Sequence, residues 1–161
     1  MAIISPDAIR QSLLEFFSSL GACEIATMVD LKIKVMLVDD SYSSISRDEI
    51  RSLARGNPLL APPGDAITQI TDCDDYALGL KDAAVKLFRQ RSSAGRVALV
   101  PPAIAIVISQ NHAVNLFIEQ DARGKNTVWF IDASTPKLPI TNDPAQAARL
   151  LKKQPVKLIY M

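Results

Sequence analysis

The chain has 161 residues, 48% of them apolar and 22% charged, with 18 basic and 17 acidic side chains for a net charge of +1. That length suits a single domain, spanning 1–161, whose core needs no metal or disulfide staple. Balanced charge, with Lys152-Lys153 as the one adjacent basic pair, excludes a nucleic-acid footprint, and no apolar stretch reaches membrane-spanning length.

The opening Met-Ala-Ile-Ile-Ser-Pro has neither a basic nor a continuous apolar region of the secretory kind, so a cytoplasmic location is expected. Ser5-Pro6-Asp7 then reads as a helix start: an N-cap, a proline at the first helical position and an acid in the first turn. Ile9, Leu13, Phe16, Phe17 and Leu20 follow at helical spacing, and Gly21 stops the run. Residues 31–38 read as a strand. Ser46 with Glu49 forms a capping box for a short helix closed by Gly56. Residues 57–65, with three prolines and a glycine, read as a loop.

Asp72 opens the next helix, whose apolar stripe runs through Tyr76, Leu80, Ala83, Ala84, Leu87 and Phe88. A connection over 92–102 contains a candidate short strand at 97–100. Three stronger strands are expected at 103–109, 112–119 and 127–132. Asp143-Pro144 starts a last helix, and 156–160 reads as a final strand. Helices first and mainly antiparallel strands afterwards make an α+β fold. The apolar final strand, taken as an open edge, leads to an expectation of homodimers.

Chemistry concentrates in three places. Cys73 falls in the first turn of its helix, where free N–H groups and the helix dipole favour a thiolate nucleophile. Cys23 reads as structural, and two cysteines do not make a disulfide framework. His112 is the sole histidine, so any thiol–imidazole pair must use it, and a Cys/His zinc site would have too few ligands. Residues 112–119 and 127–132 read as a hairpin. A three-residue loop over 121–123 sets His112 directly opposite Asp132. Moving the loop to 122–124 keeps the two on one face but makes them diagonal neighbours. In either register the carboxylate can fix the imidazole tautomer, whereas a four-residue loop would place the two on opposite faces.

Asp72-Cys73-Asp74-Asp75-Tyr76-Ala77-Leu78, Asn111-His112-Ala113-Val114-Asn115 and Trp129-Phe130-Ile131-Asp132 together resemble the three motif blocks of transglutaminase-like, papain-like cysteine peptidases. They look most similar to the calcium-dependent cysteine-protease domain attached to a mushroom agglutinin, and to bacterial transglutaminase-like cysteine proteinases. The resemblance covers roughly residues 65–135. It implies a papain-like core, with the nucleophile helix packed on the sheet. It also implies a Cys73–His112–Asp132 triad acting on a peptide or protein substrate, as a peptidase or amidase, with a transglutaminase or a catalytically silent interaction module as alternatives. Gln69 is the candidate side-chain oxyanion donor. Ala133 departs from the proline common in that family, and with no room for a lectin module, glycan binding is not expected.

Asp72, Asp74 and Asp75 surround the thiol. Two unit charges about 4 Å apart interact by roughly 4 kcal/mol at an effective dielectric near 20. Such carboxylates oppose a thiolate unless a cation takes them up, so calcium is expected at these three residues, in keeping with the resemblance. No organic cofactor is expected.

Overall fold

The structure, a computed structural model of the chain, describes residues 2–19, 34–56, 72–95, 100–135 and 137–161. Local signals place the helices. Ser5 caps α1 (Pro6–Ser18), its hydroxyl accepting the Ala8 N–H at 3.2 Å. Ser46 and Glu49 exchange backbone hydrogen bonds of 2.9 and 3.2 Å at the start of α2 (Arg47–Gly56). Asp72 precedes α3 (Cys73–Ser93), and Asp143 accepts from Gln146 N at 2.8 Å to cap α4 (Pro144–Leu150). Each cap satisfies N–H groups that a helix start leaves open.

Eight strands are present among the described residues. Ile3–Ile4 (β1) pairs antiparallel with Tyr42–Ser43 (β3). The other six form one sheet in the order β2 (Lys34–Met36), β8 (Leu158–Tyr160), β4 (Ile104–Ile108), β5 (Ala113–Gln120), β6 (Asn126–Ile131), β7 (Ile140–Thr141). Every pairing in it is antiparallel except β2 with β8. The result is a mixed α and β fold on a mainly antiparallel sheet, as the order of elements implied.

Strand alternation divides the core between the two faces. Val114, Leu116 and Ile118 join Phe130 and Val128 under Ile9, Leu13 and Phe17 of α1. On the other face Ile104, Phe117 and Ile131 meet Ile50 and Ala54 of α2 and Leu80, Ala84 and Phe88 of α3. Asn115, fully buried among the apolar residues, donates to Ala77 O at 2.8 Å and Ala105 O at 3.3 Å, fastening α3 to the sheet.

Three expectations change. The final strand β8 lies between β2 and β4, not at an edge, because its apolar side chains are covered on both flanks by neighbouring strands. The open-edge motive for a homodimer therefore goes. The candidate strand at 97–100 and the first residues of the 31–38 strand lie largely outside the described residues, where Cys23 and the 57–65 loop also fall. The hairpin between β5 and β6 closes on Asp121 and Lys125, with Gln120 opposite Asn126. Its loop is Ala122–Gly124, the second of the two registers considered, so His112 and Asp132 are diagonal and not directly opposed.

Gly124 makes that loop with φ of +82°, and an added Cβ would meet nothing within 4 Å. Only backbone conformation stands against a side chain there. Gly124→Ala is expected to lower the unfolding free energy by about 1–2 kcal/mol. Urea denaturation checks this, and an unchanged midpoint would show that the loop has another low-energy form.

Candidate functional site

Two places carry polar chemistry, one at each end of α3. At its start the structure gathers Cys73, His112 and Asp132. The residues just before β5 are held by a short network. Ser109 N donates to His112 O at 2.9 Å, and Gln154 Oε1 accepts from Asn111 N at 2.8 Å. This fixes His112 one residue ahead of the ladder. Asp132 follows the last residue of β6. Its Oδ2 lies 2.9 Å from His112 Nε2, a span the imidazole bridges across the diagonal. Both side chains are buried.

The second carboxylate oxygen, Oδ1, accepts from Ser134 N at 2.9 Å and from the Ser134 hydroxyl at 2.5 Å. Burial alone would push the Asp132 carboxyl upward. Donation from His112 and from both Ser134 groups outweighs it and holds the carboxyl below its ordinary value. Asp132 is therefore a carboxylate to which His112 Nε2 donates, and Nδ1 is left buried with no hydrogen-bond partner.

Cys73 carries a free, half-buried thiol packed with Ala77, Ile106, Ile108 and Ala113. Its Sγ accepts the Ala113 N–H at 3.3 Å, one residue beyond His112. The sequence reading thus places these three residues in one corner. The hydrogen bond a nucleophile and its base would share, from Sγ to the imidazole, is not among those made, since Nδ1 has no partner. Gln69 lies outside the described residues.

The aspartates beside the thiol serve the helix. Asp75 accepts the Asp72 N–H at 3.2 Å, closing a capping box. The nearness of the Asp72 and Asp74 side chains lowers the first carboxyl and raises the second. All three are exposed. Among the described residues no group of three or more His, Cys, Asp or Glu side chains is arranged to hold a metal ion.

At the far end of α3 lies a cleft of about 280 Å³ that the sequence reading missed. Lys81, Val85, Phe88, Arg89 and Ser92 line one wall; Val38 and Asp39 after β2, residues 100–102 before β4, and Met161 complete it. Lys81 Nζ sits 4.0 Å above the Tyr160 ring and 3.5 Å from the Tyr160 carbonyl oxygen. Burial lowers the Lys81 ammonium from its usual value, partly opposed by Asp39. A helical rise of about 1.5 Å per residue sets the middle of this wall roughly 18 Å from Cys73 along the helix axis. The one signal in the sequence was the spacing Lys81, Val85, Arg89, which puts two cations on a single stripe of the helix.

No family model and no curated protein matches the chain. Two solved structures share its fold. The complex of PSL1a with E-64 superposes with a TM-score of 0.66 at 20% identity, covering 99% of this chain and 50% of that one. Polyporus squamosus lectin bound to the human-type influenza-binding epitope Neu5Aca2-6Galb1-4GlcNAc gives 0.57 at 20% identity, covering 86% and 46%. The chain spans about half the length of each.

These structures correct the sequence reading. The fold is shared with a structure described as a lectin. The resemblance to transglutaminase-like and papain-like cysteine peptidases, the assignment as a thiol-dependent hydrolase and the peptide or protein substrate do not stand. For location, no described helix is long and apolar enough to cross a membrane.

Proposed function

We propose that this chain is a catalytically silent interaction module that binds carbohydrate, with the cleft beside α3 as its site. The observation that carries the reading is the fold shared with the lectin across 86% of the chain. Two features of the residues support it. Sγ of Cys73 is engaged by a backbone N–H while His112 Nδ1 has no partner. The cleft combines apolar walls with Lys81, Asp39 and Arg89, a mixture suited to sugar rings, which present both C–H faces and hydroxyls. In this reading His112, Asp132 and Ser134 form a buried clamp joining the ends of β5 and β6.

Calorimetric titration with the sialylated trisaccharide named for the lectin tests the proposal. Saturable binding is expected, equal in the wild type and in Cys73→Ala. Incubation with E-64, the ligand named for PSL1a, is expected to leave the intact mass unchanged. A mass increase localised at Cys73, or cleavage of an amide substrate lost in Cys73→Ala, would overturn the silent-module reading. Absence of binding to any glycan would overturn the carbohydrate reading.

A further inference from the structure

The charges of the cleft and their spacing narrow the ligand class. Lys81, Val85 and Arg89 fall one helical turn apart on α3. Lys81 is already committed: its ammonium rests on the Tyr160 ring and against the Tyr160 carbonyl. Arg89 differs. It is exposed, and among the described residues no hydrogen bond or ion pair engages it. A guanidinium presents a planar fork of donors that matches a carboxylate with two parallel hydrogen bonds.

Across the cleft stands Asp39, exposed, close enough to Lys81 to act on its ammonium. The rise per residue puts Lys81 and Arg89 about 12 Å apart along the axis, too far for both to hold one small anion. The distance suits a ligand with its carboxylate at one end and hydroxyls at the other, lying over Val85. Hydroxyls can donate to Asp39 and accept from Lys81.

From this we infer that the cleft takes an acidic saccharide, a sugar carrying one carboxylate, with Arg89 holding the carboxylate and Lys81 and Asp39 reading hydroxyls. The inference rests on the carbohydrate-binding reading and adds the ligand's charge and orientation to it.

The test follows amide resonances of the isotope-labelled chain during titration with glucuronate, glucose and acetate, in the wild type and in Arg89→Gln. Since among the described residues Arg89 makes no hydrogen bond or ion pair, the variant is expected to keep the wild-type fold and spectrum. Glucuronate should move the amides of Val38 and of residues 81–89 saturably. Glucose should bind about tenfold more weakly, and Arg89→Gln should lose about tenfold in glucuronate affinity, the worth of a charge-assisted hydrogen bond. Equal binding of glucose and glucuronate, or an undisturbed Arg89→Gln, would overturn the acidic-sugar inference and leave carbohydrate binding standing. Acetate matching glucuronate at the same amides would show a plain anion site and overturn it too. Sugar-induced shifts confined to residues away from the cleft would overturn the inference and the placing of the site.

Discussion

Asp132→Ala should destabilise the protein by about 3 kcal/mol, because it removes the acceptor of three hydrogen bonds and leaves a buried imidazole N–H unpaired. The effect should depend on pH, with a sign set by the direction of the Asp132 shift. Its carboxyl lies below its ordinary value in the folded protein. A depressed carboxyl contributes stability that is present above the unfolded-state pKa, near 3.9, and is lost as the pH falls through the folded value. The contribution of the Asp132 carboxylate to the gap in unfolding free energy between wild type and Asp132→Asn should therefore be complete at pH 5 and shrink as the pH falls below 4. Urea melts across that range read it directly. A gap that widens on acidification would mean that the carboxyl is not stabilised as an anion.

Phe130→Ala should cost still more, about 3–5 kcal/mol, by opening a cavity in the larger core. Phe130 is fully buried, 5.2 Å from the ring of Phe16 and 6.4 Å from that of Phe17. These rings join α1 to β6, so a void there cannot close without moving the helix. Domains of this size are stable by only about 5–15 kcal/mol, so the variant should melt far below the wild type. Calorimetric unfolding measures the loss. A change under about 1 kcal/mol would mean that α1 repacks freely.

What could be read in advance follows the range of the interaction responsible. Ser5, Ser46, Asp72 and Asp143 announced helix starts because an N-cap acts on residues two or three places away. The apolar runs of β4, β5 and β6 were visible for the same local reason. The hairpin allowed two neighbouring registers, since the composition of 121–124 suits either loop, and backbone bonds between Asp121 and Lys125 decide between them. The two-residue strands β1, β3 and β7 are too short for any periodicity to show. The interior position of β8 depends on Lys34–Met36 lying alongside it, a pairing that nothing in Val156–Tyr160 encodes.

For the site, Cys73, His112 and Asp132 were singled out and do converge, yet Ser134, the residue that satisfies the second oxygen of Asp132, was not. Its role arises from the bend after β6. The cleft was invisible because its walls come from four separated segments. The motif blocks led to a peptidase because they mark a scaffold, and one scaffold can serve unrelated tasks.

The central place of β8 also governs how a growing polypeptide can reach this fold. During synthesis the β5–β6 hairpin can form as soon as both strands have emerged, but the flank of β4 that β8 will cover stays open until β8 has emerged. β2, made early, has no strand in the sheet to pair with until then. The nascent chain thus carries an unpaired apolar edge, Ile104–Ile108, from the emergence of β4 until that of β8, the condition in which strands of neighbouring chains cross-pair. Any ribosome pause shortly before residue 158 would prolong that exposure.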